Sequence, residues 1–162
     1  MLEMATLRRD SEVEAIMEMS EKQIEALGFT EHSRRHAGIV SKWSGEILRA
    51  LGKDENRIRL AEVAGYLHDI GNCINRKDHA QSGAILAYKI VTRLGMPFSD
   101  AAEIMMAIGN HDEQYGQPVS DISSALIIAD KADVHKSRVK NTINDVFKAN
   151  IHDRVNLAAE RS

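Results

Sequence analysis

Four histidines and two aspartates stand out because each falls on the apolar face of a predicted helix. They are His36, His68, Asp69, His79, His111 and Asp130. An ionised carboxylate without a partner is strongly unfavourable inside a protein core, so residues of this kind at such positions need compensation. Imidazole nitrogens and carboxylate oxygens are together the ligands of divalent zinc, iron and manganese. The residue types and their positions therefore predict a buried metal centre.

The register of the predicted helices supports this prediction. On the second predicted helix, the apolar face contains residues that follow one another at helical spacing, namely His36, Val40, Trp43 and Ile47. The other candidates lie on equivalent faces, and His68 and Asp69 close the apolar helix that precedes them. A single histidine on such a face is usually a hydrogen-bonded core residue. Six residues of ligand type on successive helices favour one shared metal site over six separate explanations.

The elements that position these residues are all predicted to be helical. Apolar residues recur at helical spacing along the chain, and no stretch alternates long enough for a strand. The spacing predicts an all-α fold of six to eight helices, with helices at about 11–27, 31–51, 55–70, 79–94, 99–111 and 121–138. We expect a single domain over 1–162 whose core spans about 30–140, with the first helix and a helical tail over 141–162 packed on it.

Glycines mark the ends of several predicted helices. Glycine readily adopts the left-handed conformation that commonly ends a helix, and we expect this at Gly28, Gly52, Gly71 and Gly95. Ser99 or Asp100 is expected to cap the start of the fifth helix, with Glu103 completing a capping box.

Composition indicates a soluble globular protein. Of the 162 residues 43% are hydrophobic and 28% are charged, and the net charge is −3. The chain has no dense run of basic residues, so a long nucleic acid is not the expected partner. It also has no apolar run that approaches the ~20 residues that span a bilayer. The one cysteine, Cys73, cannot form an intrachain disulfide and is typical of a reducing compartment. We therefore expect a cytoplasmic protein without membrane contact, and its oligomeric state, a homodimer included, stays open.

Four motifs together resemble those of one known family. They are AGYLHDIGN at 64–72, RKDHAQSGA at 76–84, IGNHDEQYG at 108–116 and LIIADKAD at 126–133. The first and last resemble the His-Asp motif and the final aspartate of the HD-domain superfamily of metal-dependent phosphohydrolases. The middle two resemble the extra histidine motifs of its dinuclear branch, and the set is similar to that of bacterial HD hydrolases of dinucleoside polyphosphates. The resemblance implies a helical HD-domain bundle around a central metal site.

The resemblance also implies a role for each candidate ligand. The implied ligands of one divalent metal are His36, His68, Asp69 and Asp130, and those of a second are His79 and His111, with Asp69 bridging the pair. Iron, manganese, zinc and magnesium are the candidate metals. His68 and Asp69 form the implied catalytic centre, where a metal-activated hydroxide attacks phosphorus in a phosphoester or phosphoanhydride.

Three further residues are candidates for orienting the ligands: His32, Asp112 and Asp133. His32 lies one helical turn before His36, so either histidine could be the first ligand. The family's spacing from the first histidine to the His-Asp pair favours His36, which leaves His32 to orient the site. Asp112 and Asp133 lie close to ligand positions in the sequence and are expected to hydrogen-bond to ligands.

Basic residues near the ligands are candidates for holding phosphate. They are Arg138, Lys131, Arg76 and Lys77. Arg138 is the first choice because a guanidinium group binds phosphate oxygens bidentately. Each of these residues could equally be a solvated surface charge. The expected partner is a small phosphorylated molecule, with a nucleotide as the first choice.

Two other functions stay open at this stage. One is a metal-stabilised helical module for binding or signalling that has lost turnover, although all six ligand positions are filled. The other is an HD-type di-iron oxygenase, because a similar ligand set can hold mixed-valence iron. Release of phosphate from a nucleotide panel would distinguish a phosphohydrolase from both, and oxygen uptake would identify the oxygenase.

Overall fold

The computed structural model of the protein describes residues 2–28, 34–112 and 114–134, and these contain helices but no strand. The α-helices are α1 (Met4–Arg8), α2 (Ser11–Ala26), α3 (Arg34–Ala50), α4 (Glu55–Leu67), α5 (His79–Arg93), α6 (Phe98–Gly109) and α7 (Asp121–Ala132). A short 3₁₀ helix, Ile70–Cys73, lies between α4 and α5. None of the helices in these segments has the length and apolar character needed to cross a membrane. The predicted all-α class is confirmed.

Short polar side chains begin three of the helices. Asp10 accepts hydrogen bonds from the main-chain N–H groups of Glu12 and Val13 at the start of α2. Asp54 and Ser120 accept equivalent bonds at the starts of α4 and α7. Each bond satisfies a main-chain donor that has no partner inside its helix. The caps fix where α4 and α7 begin, and therefore where the residues at their far ends lie.

Three helix pairs provide most of the packing: α3 with α4, α5 with α6, and α3 with α7. Their apolar side chains include several that are at most 1% exposed, namely Leu48, Leu60, Leu67, Ile104, Ile108 and Leu126. Burial of this surface is the main favourable contribution to folding. Both α2 and α5 also pack against the 3₁₀ helix. The connection from α4 to α5 is therefore held on two sides by other helices.

The six predicted helices are all present, with their ends displaced by a few residues. The helix predicted at 55–70 ends at Leu67, and the helix predicted at 99–111 ends at Gly109. The sequence pattern does not predict α1, because its five residues are too few to show an apolar period. The tail predicted over 141–162 lies outside the described residues, and the single-domain organisation stays a prediction.

The predicted helix punctuation is partly correct. Left-handed glycines follow α2, α3 and α5, with φ of 73°, 69° and 86° at Gly28, Gly52 and Gly95. The capping box predicted for α6 is wrong, because the helix begins at Phe98 and neither Ser99 nor Asp100 caps it. Pro97 precedes this helix instead, and its ring fixes a backbone angle compatible with a helix start.

The buried face of α3 differs from the prediction in its second half. Trp43 is 50% exposed rather than buried, whereas Ser41 and Ser44 are buried. Small residues are needed there because α4 crosses α3 closely: a Cβ on Gly65 would lie 2.8 Å from the Cα of Ser41. Such a close approach of two main chains leaves no room for an indole ring between them.

Gly71 is required for a reason other than the predicted helix cap. It lies inside the 3₁₀ helix and is not one of the glycines with positive φ. A Cβ on Gly71 would overlap the main-chain oxygen of His79 and would lie 2.5 Å from the main-chain nitrogen of Gly83. The first turns of α5 therefore pack directly on the main chain of Gly71. This contact holds the start of α5 close to the end of α4.

We predict that Gly71→Ala lowers the free energy of unfolding by about 1–3 kcal/mol, the usual cost of overpacking a tight contact. The neighbouring atoms are main chain and cannot move without shifting α5. Gly38→Ala is the matched control, because a Cβ at that α3 position meets nothing within 4 Å. It should leave stability unchanged or raise it by up to about 1 kcal/mol. Urea unfolding curves measure both, and equal effects from the two substitutions would contradict the packing argument.

Candidate metal centre

Five elements bring the six candidate ligands to one place. His36 lies in the first turn of α3, His68 directly after α4, Asp69 next to it, His79 at the first position of α5, His111 just beyond α6, and Asp130 in the last turn of α7. Three of these positions differ from the predicted ones, because His68, Asp69 and His111 follow the ends of their helices rather than lying within them. The four histidines are each at most 3% exposed.

Three of the histidines are oriented by the same local hydrogen bond. The Nδ1 atoms of His68, His79 and His111 lie 2.8, 3.0 and 2.6 Å from the main-chain oxygen of the residue three positions earlier. A carbonyl oxygen only accepts hydrogen bonds, so Nδ1 carries the proton in each ring. The Nε2 atoms therefore point their lone pairs or protons toward the centre of the cluster. At His68 and His111 the bond also satisfies a carbonyl near the end of a helix.

The fourth histidine is oriented by a carboxylate. Nδ1 of His36 lies 2.7 Å from Oδ2 of Asp133, and both side chains are 1% exposed. Arg35 also contacts that carboxylate, with Nη1 3.4 Å from the same oxygen. A carboxylate bonded to one ring nitrogen fixes the orientation of the ring and makes the other nitrogen a better ligand. Asp133 thus lies where the sequence predicts an orienting residue.

Asp69 lies at the centre of the four imidazoles. Its Oδ2 is 3.3 Å from Nε2 of His68 and 3.8 Å from Nε2 of His36. Its Oδ1 is 3.4 Å from Nε2 of His79 and 4.0 Å from Nε2 of His111. The two oxygens of one carboxylate thus face two different pairs of histidines.

Asp130 lies beside His36 and His68, the pair of histidines that faces Oδ2 of Asp69. Its Oδ1 lies 3.2 Å from Nε2 of His36 and 3.7 Å from Nε2 of His68. Within the described residues, two sets of donor atoms lie within 4.8 Å of one another: His36 with His68 and Asp130, and His68 with Asp69 and His111. Each set could hold a metal ion, as the predicted metal centre requires.

The chemistry of the donors is compatible with a divalent cation. Nε2 of His68 is buried and has no hydrogen-bond partner among the described residues. A buried nitrogen of this kind is costly unless a partner satisfies it. Neighbouring carboxylate oxygens and imidazole nitrogens form the mixed set that binds zinc, iron or manganese. The residues therefore fit the predicted type of metal centre.

The negative charges in the cluster perturb its protonation. Burial acts to lower the pKa of His68, but the charges of Asp69 and Asp130 outweigh it and raise the pKa to about 9. Burial and the neighbouring charge of His68 lower the pKa of His111 to about 4. Burial acts to raise the pKa of Asp130, but the hydrogen bond with His36 and the charge of His68 hold it well below its usual value. In the metal-free protein a proton on His68 therefore offsets part of the carboxylate charge.

The other predicted site residues are distributed unevenly around this cluster. Arg76 reaches it, with Nη1 3.8 Å from Oδ1 of Asp69. Lys131 lies at its edge and donates to Oδ2 of Asp130 at 3.0 Å, whereas Lys77 is exposed on the surface. Asp112 lies beside it, 3.6 Å from Nδ1 of His79. Two predicted residues lie outside the described part of the chain: His32 and Arg138.

Asn72 is a site residue to which the sequence analysis assigns no role. Its side-chain amide donates to Oδ1 of Asp69 at 3.0 Å and to the main-chain oxygen of the same residue at 2.9 Å. The Asn72 residue itself is fully buried. A signal was available, because Asn72 follows Asp69 by three residues inside the motif at 64–72. Asparagine so often caps or turns a chain that its type alone does not indicate a site.

The chain is similar to known proteins both in sequence and in fold. Residues 29–137, more than half of the chain, match the family described as the HD domain. A solved structure of a predicted HD superfamily hydrolase from an uncultured Thermotogales bacterium has the same fold, with a TM-score of 0.60 and 23% identity. That similarity covers 96% of this chain and 89% of the other.

Two relatives are similar in sequence over part of their length. The uncharacterized protein MJ1020 of Methanocaldococcus jannaschii is 25% identical over 154 residues, which cover 82% of this chain and 59% of that protein. Ribonuclease Y of Lawsonia intracellularis is 32% identical over 105 residues, which cover 63% of this chain and 18% of that protein. The chain thus spans about six tenths of one relative and under a fifth of the other.

We predict that the metal-stripped protein is most stable near pH 6.5. The pKa of His68 is raised to about 9, so its contribution to stability is complete below pH 6.5 and is lost as the pH rises through 9. The pKa of His111 is lowered to about 4, so its contribution is complete above pH 6.5 and is lost as the pH falls toward 4. Thermal unfolding in chelator measures Tm across this range, and His68→Gln should remove the alkaline loss. A Tm that rises between pH 7 and pH 9 in the unsubstituted protein would contradict the assignment.

We predict that Asp133→Asn weakens metal binding by about 10–100-fold, the usual effect of removing an orienting carboxylate. The substitution keeps the size of the side chain but weakens the bond to Nδ1 of His36. Arg35→Ala is the control, because it removes the cation beside Asp133 and keeps the carboxylate that bonds to His36. Calorimetric titration with Mn²⁺ measures the affinities. Equal losses in the two variants would show that Asp133 acts through general charge rather than through His36.

Proposed function

This chain belongs to the HD-domain family, and we propose that it is a metal-dependent phosphohydrolase that cuts a phosphoester or phosphoanhydride bond in a small phosphorylated substrate. One observation carries the proposal. The two oxygens of the Asp69 carboxylate face two pairs of imidazole nitrogens at 3.3–4.0 Å. A carboxylate placed in this way can bridge two cations, as centres that act on phosphates often require.

The proposed ligand set follows the two sides of Asp69. One cation would be held by His36, His68 and Asp130 together with Asp69. The other would be held by His79 and His111 together with Asp69. A set with four imidazoles favours iron, manganese or zinc over magnesium, which prefers oxygen ligands. The proximity of Oδ1 of Asp130 to Nε2 of His36, at 3.2 Å, supports the composition of the first set.

A bound divalent cation is a Lewis acid that lowers the pKa of water toward neutrality and offsets charge on phosphate oxygens. The protein's own contribution is to hold its ligand atoms in place before substrate arrives. Hydrogen bonds at Nδ1 orient the four imidazoles, and Asn72 holds Oδ1 of Asp69. Arg76 lies beside the same oxygen and offers N–H donors to the phosphate. Covalent catalysis by the side chains is then not required, because positioning and electrostatic stabilisation are sufficient.

A small cavity between α2, α3 and α4 adjoins this cluster. Its lining includes His36 and Asp69 on the cluster side, apolar walls from Met17, Tyr66 and Ile70, and polar groups from Glu21 and Arg34. Its volume of about 10 Å³ matches a single water molecule. The cavity is therefore too small for the organic part of the substrate, and we propose that this part binds outside it.

A nucleotide is the proposed substrate class, with a dinucleoside polyphosphate as the first choice because of the motifs that the chain shares with that branch. RNA is the second candidate, supported by the 32% identity to part of a ribonuclease Y. The net charge of −3 favours the small substrate over a long nucleic acid. A panel of mononucleotides, dinucleoside polyphosphates and a short RNA separates these candidates. Oxygen uptake without phosphate release would instead indicate the oxygenase, and neither activity would indicate a binding module.

We predict that protein loaded with Mn²⁺ or Fe²⁺ hydrolyses at least one member of this panel and that His68→Ala or Asp69→Ala lowers kcat/KM by about 10³-fold or more. Both residues belong to the central cluster, so neither loss should be recovered at higher substrate concentration. His152→Ala and Asp153→Ala are matched controls from another His-Asp dipeptide of the chain and should retain activity. Phosphate release or product chromatography measures turnover. Equal losses of kcat/KM from the two dipeptides would show that the catalytic centre has been assigned to the wrong residues. The absence of hydrolysis of every substrate in the panel would reject the proposed function.

A further inference from the structure

Arg76 places a positive charge beside one half of the cluster. Its Nη1 lies 3.2 Å from Nε2 of His79, 3.4 Å from Oδ1 of Asn72 and 3.8 Å from Oδ1 of Asp69. Its side chain is 34% exposed, so it reaches inward from the surface. The guanidinium therefore lies among the atoms assigned above to the second cation.

The hydrogen bonds of His79 make this position exclusive. Nδ1 of His79 donates to the main-chain oxygen of Arg76, which leaves Nε2 with a single lone pair. That lone pair can accept an N–H from Arg76 or bind a cation, but it cannot do both. His68 differs, because among the described residues no N–H group donates to its Nε2.

Charge adds a second reason for competition. A guanidinium and a metal ion are both cations, and both are attracted by the carboxylate of Asp69. Among the described residues, two sets of donor atoms lie within 4.8 Å of one another, and neither includes His79. His79 thus contacts a guanidinium instead of belonging to a close set of donors, whereas His36, His68 and Asp130 form such a set.

We propose that Arg76 controls filling of the second metal position by competing with the cation for Nε2 of His79. The proposal rests on the ligand set given under the proposed function. One cation binds first, on the His36 side of Asp69, while the guanidinium of Arg76 stays on His79. A second cation binds only when that guanidinium withdraws. The side chain can withdraw toward solvent while its main-chain oxygen continues to hold Nδ1 of His79.

A titration of metal-stripped protein with Mn²⁺ tests this competition. For the unsubstituted protein we expect a first equivalent that binds tightly and a second that binds more weakly. Arg76→Ala should tighten the second step by about tenfold or more, because a charged hydrogen bond no longer has to be broken. The first step should stay unchanged. Calorimetry gives both affinities, and the paramagnetic resonance signal of coupled Mn²⁺ pairs should appear at lower Mn²⁺ in the variant.

Two matched variants distinguish competition at His79 from a general effect of charge. Lys77→Ala removes one positive charge from the neighbouring, exposed position and should leave both steps unchanged. His79→Ala should weaken the second step, and adding Arg76→Ala to it should then produce no gain. The proposal is overturned if Arg76→Ala fails to tighten the second step, or if Lys77→Ala tightens it equally. The titration contains no substrate, so its outcome is separate from whether the loaded protein releases phosphate.

Discussion

The charge of Asp69 is the constraint on which the rest of this structure depends. A carboxylate that is only 12% exposed needs cations or strong donors around it, and the four imidazoles alone provide them incompletely. The structure responds in several ways: a proton on His68, the amide of Asn72, and the guanidinium of Arg76 all lie close to this group. Each offsets part of the charge that bound metal would offset more fully. Folding and metal binding are therefore linked through one side chain.

The candidate ligands lie at or next to the ends of helices rather than in their middles. His68 and His111 follow α4 and α6, and each ring donates to a carbonyl in the last turn, where such oxygens lack their regular helical partners. One hydrogen bond thus both completes a helix and fixes the tautomer of a ligand. A histidine within a regular helix would have its nearby carbonyls already occupied. The observed ends of α4 and α6, earlier than predicted, place these rings where such carbonyls are available.

Sequence reasoning predicts the helical class, the existence of six helices and the residues that meet at the cluster, because buried polar groups at helical spacing are a strong signal. It places Trp43 in the core wrongly, because periodicity does not reveal that α4 approaches α3 too closely for a large ring. It misses the role of Asn72 for a related reason: that role depends on a turn formed after α4. It identifies Arg76 as a phosphate candidate, but its contact with His79 depends on three-dimensional distances that no spacing gives.

Close contacts between main chains set the dimensions of the metal centre. Gly65 lets α4 approach α3, which carries His36, and Gly71 lets α5, which carries His79, approach the segment that carries Asp69. A side chain at either glycine would push a ligand-bearing helix outward, and ligand distances tolerate errors of only a few tenths of an ångström. Helix packing in this protein therefore also determines where the ligand residues lie. The absence of a side chain at these two crossings matters to the site as much as the presence of the ligands, because only close crossings let helices from distant parts of the chain face the same carboxylate.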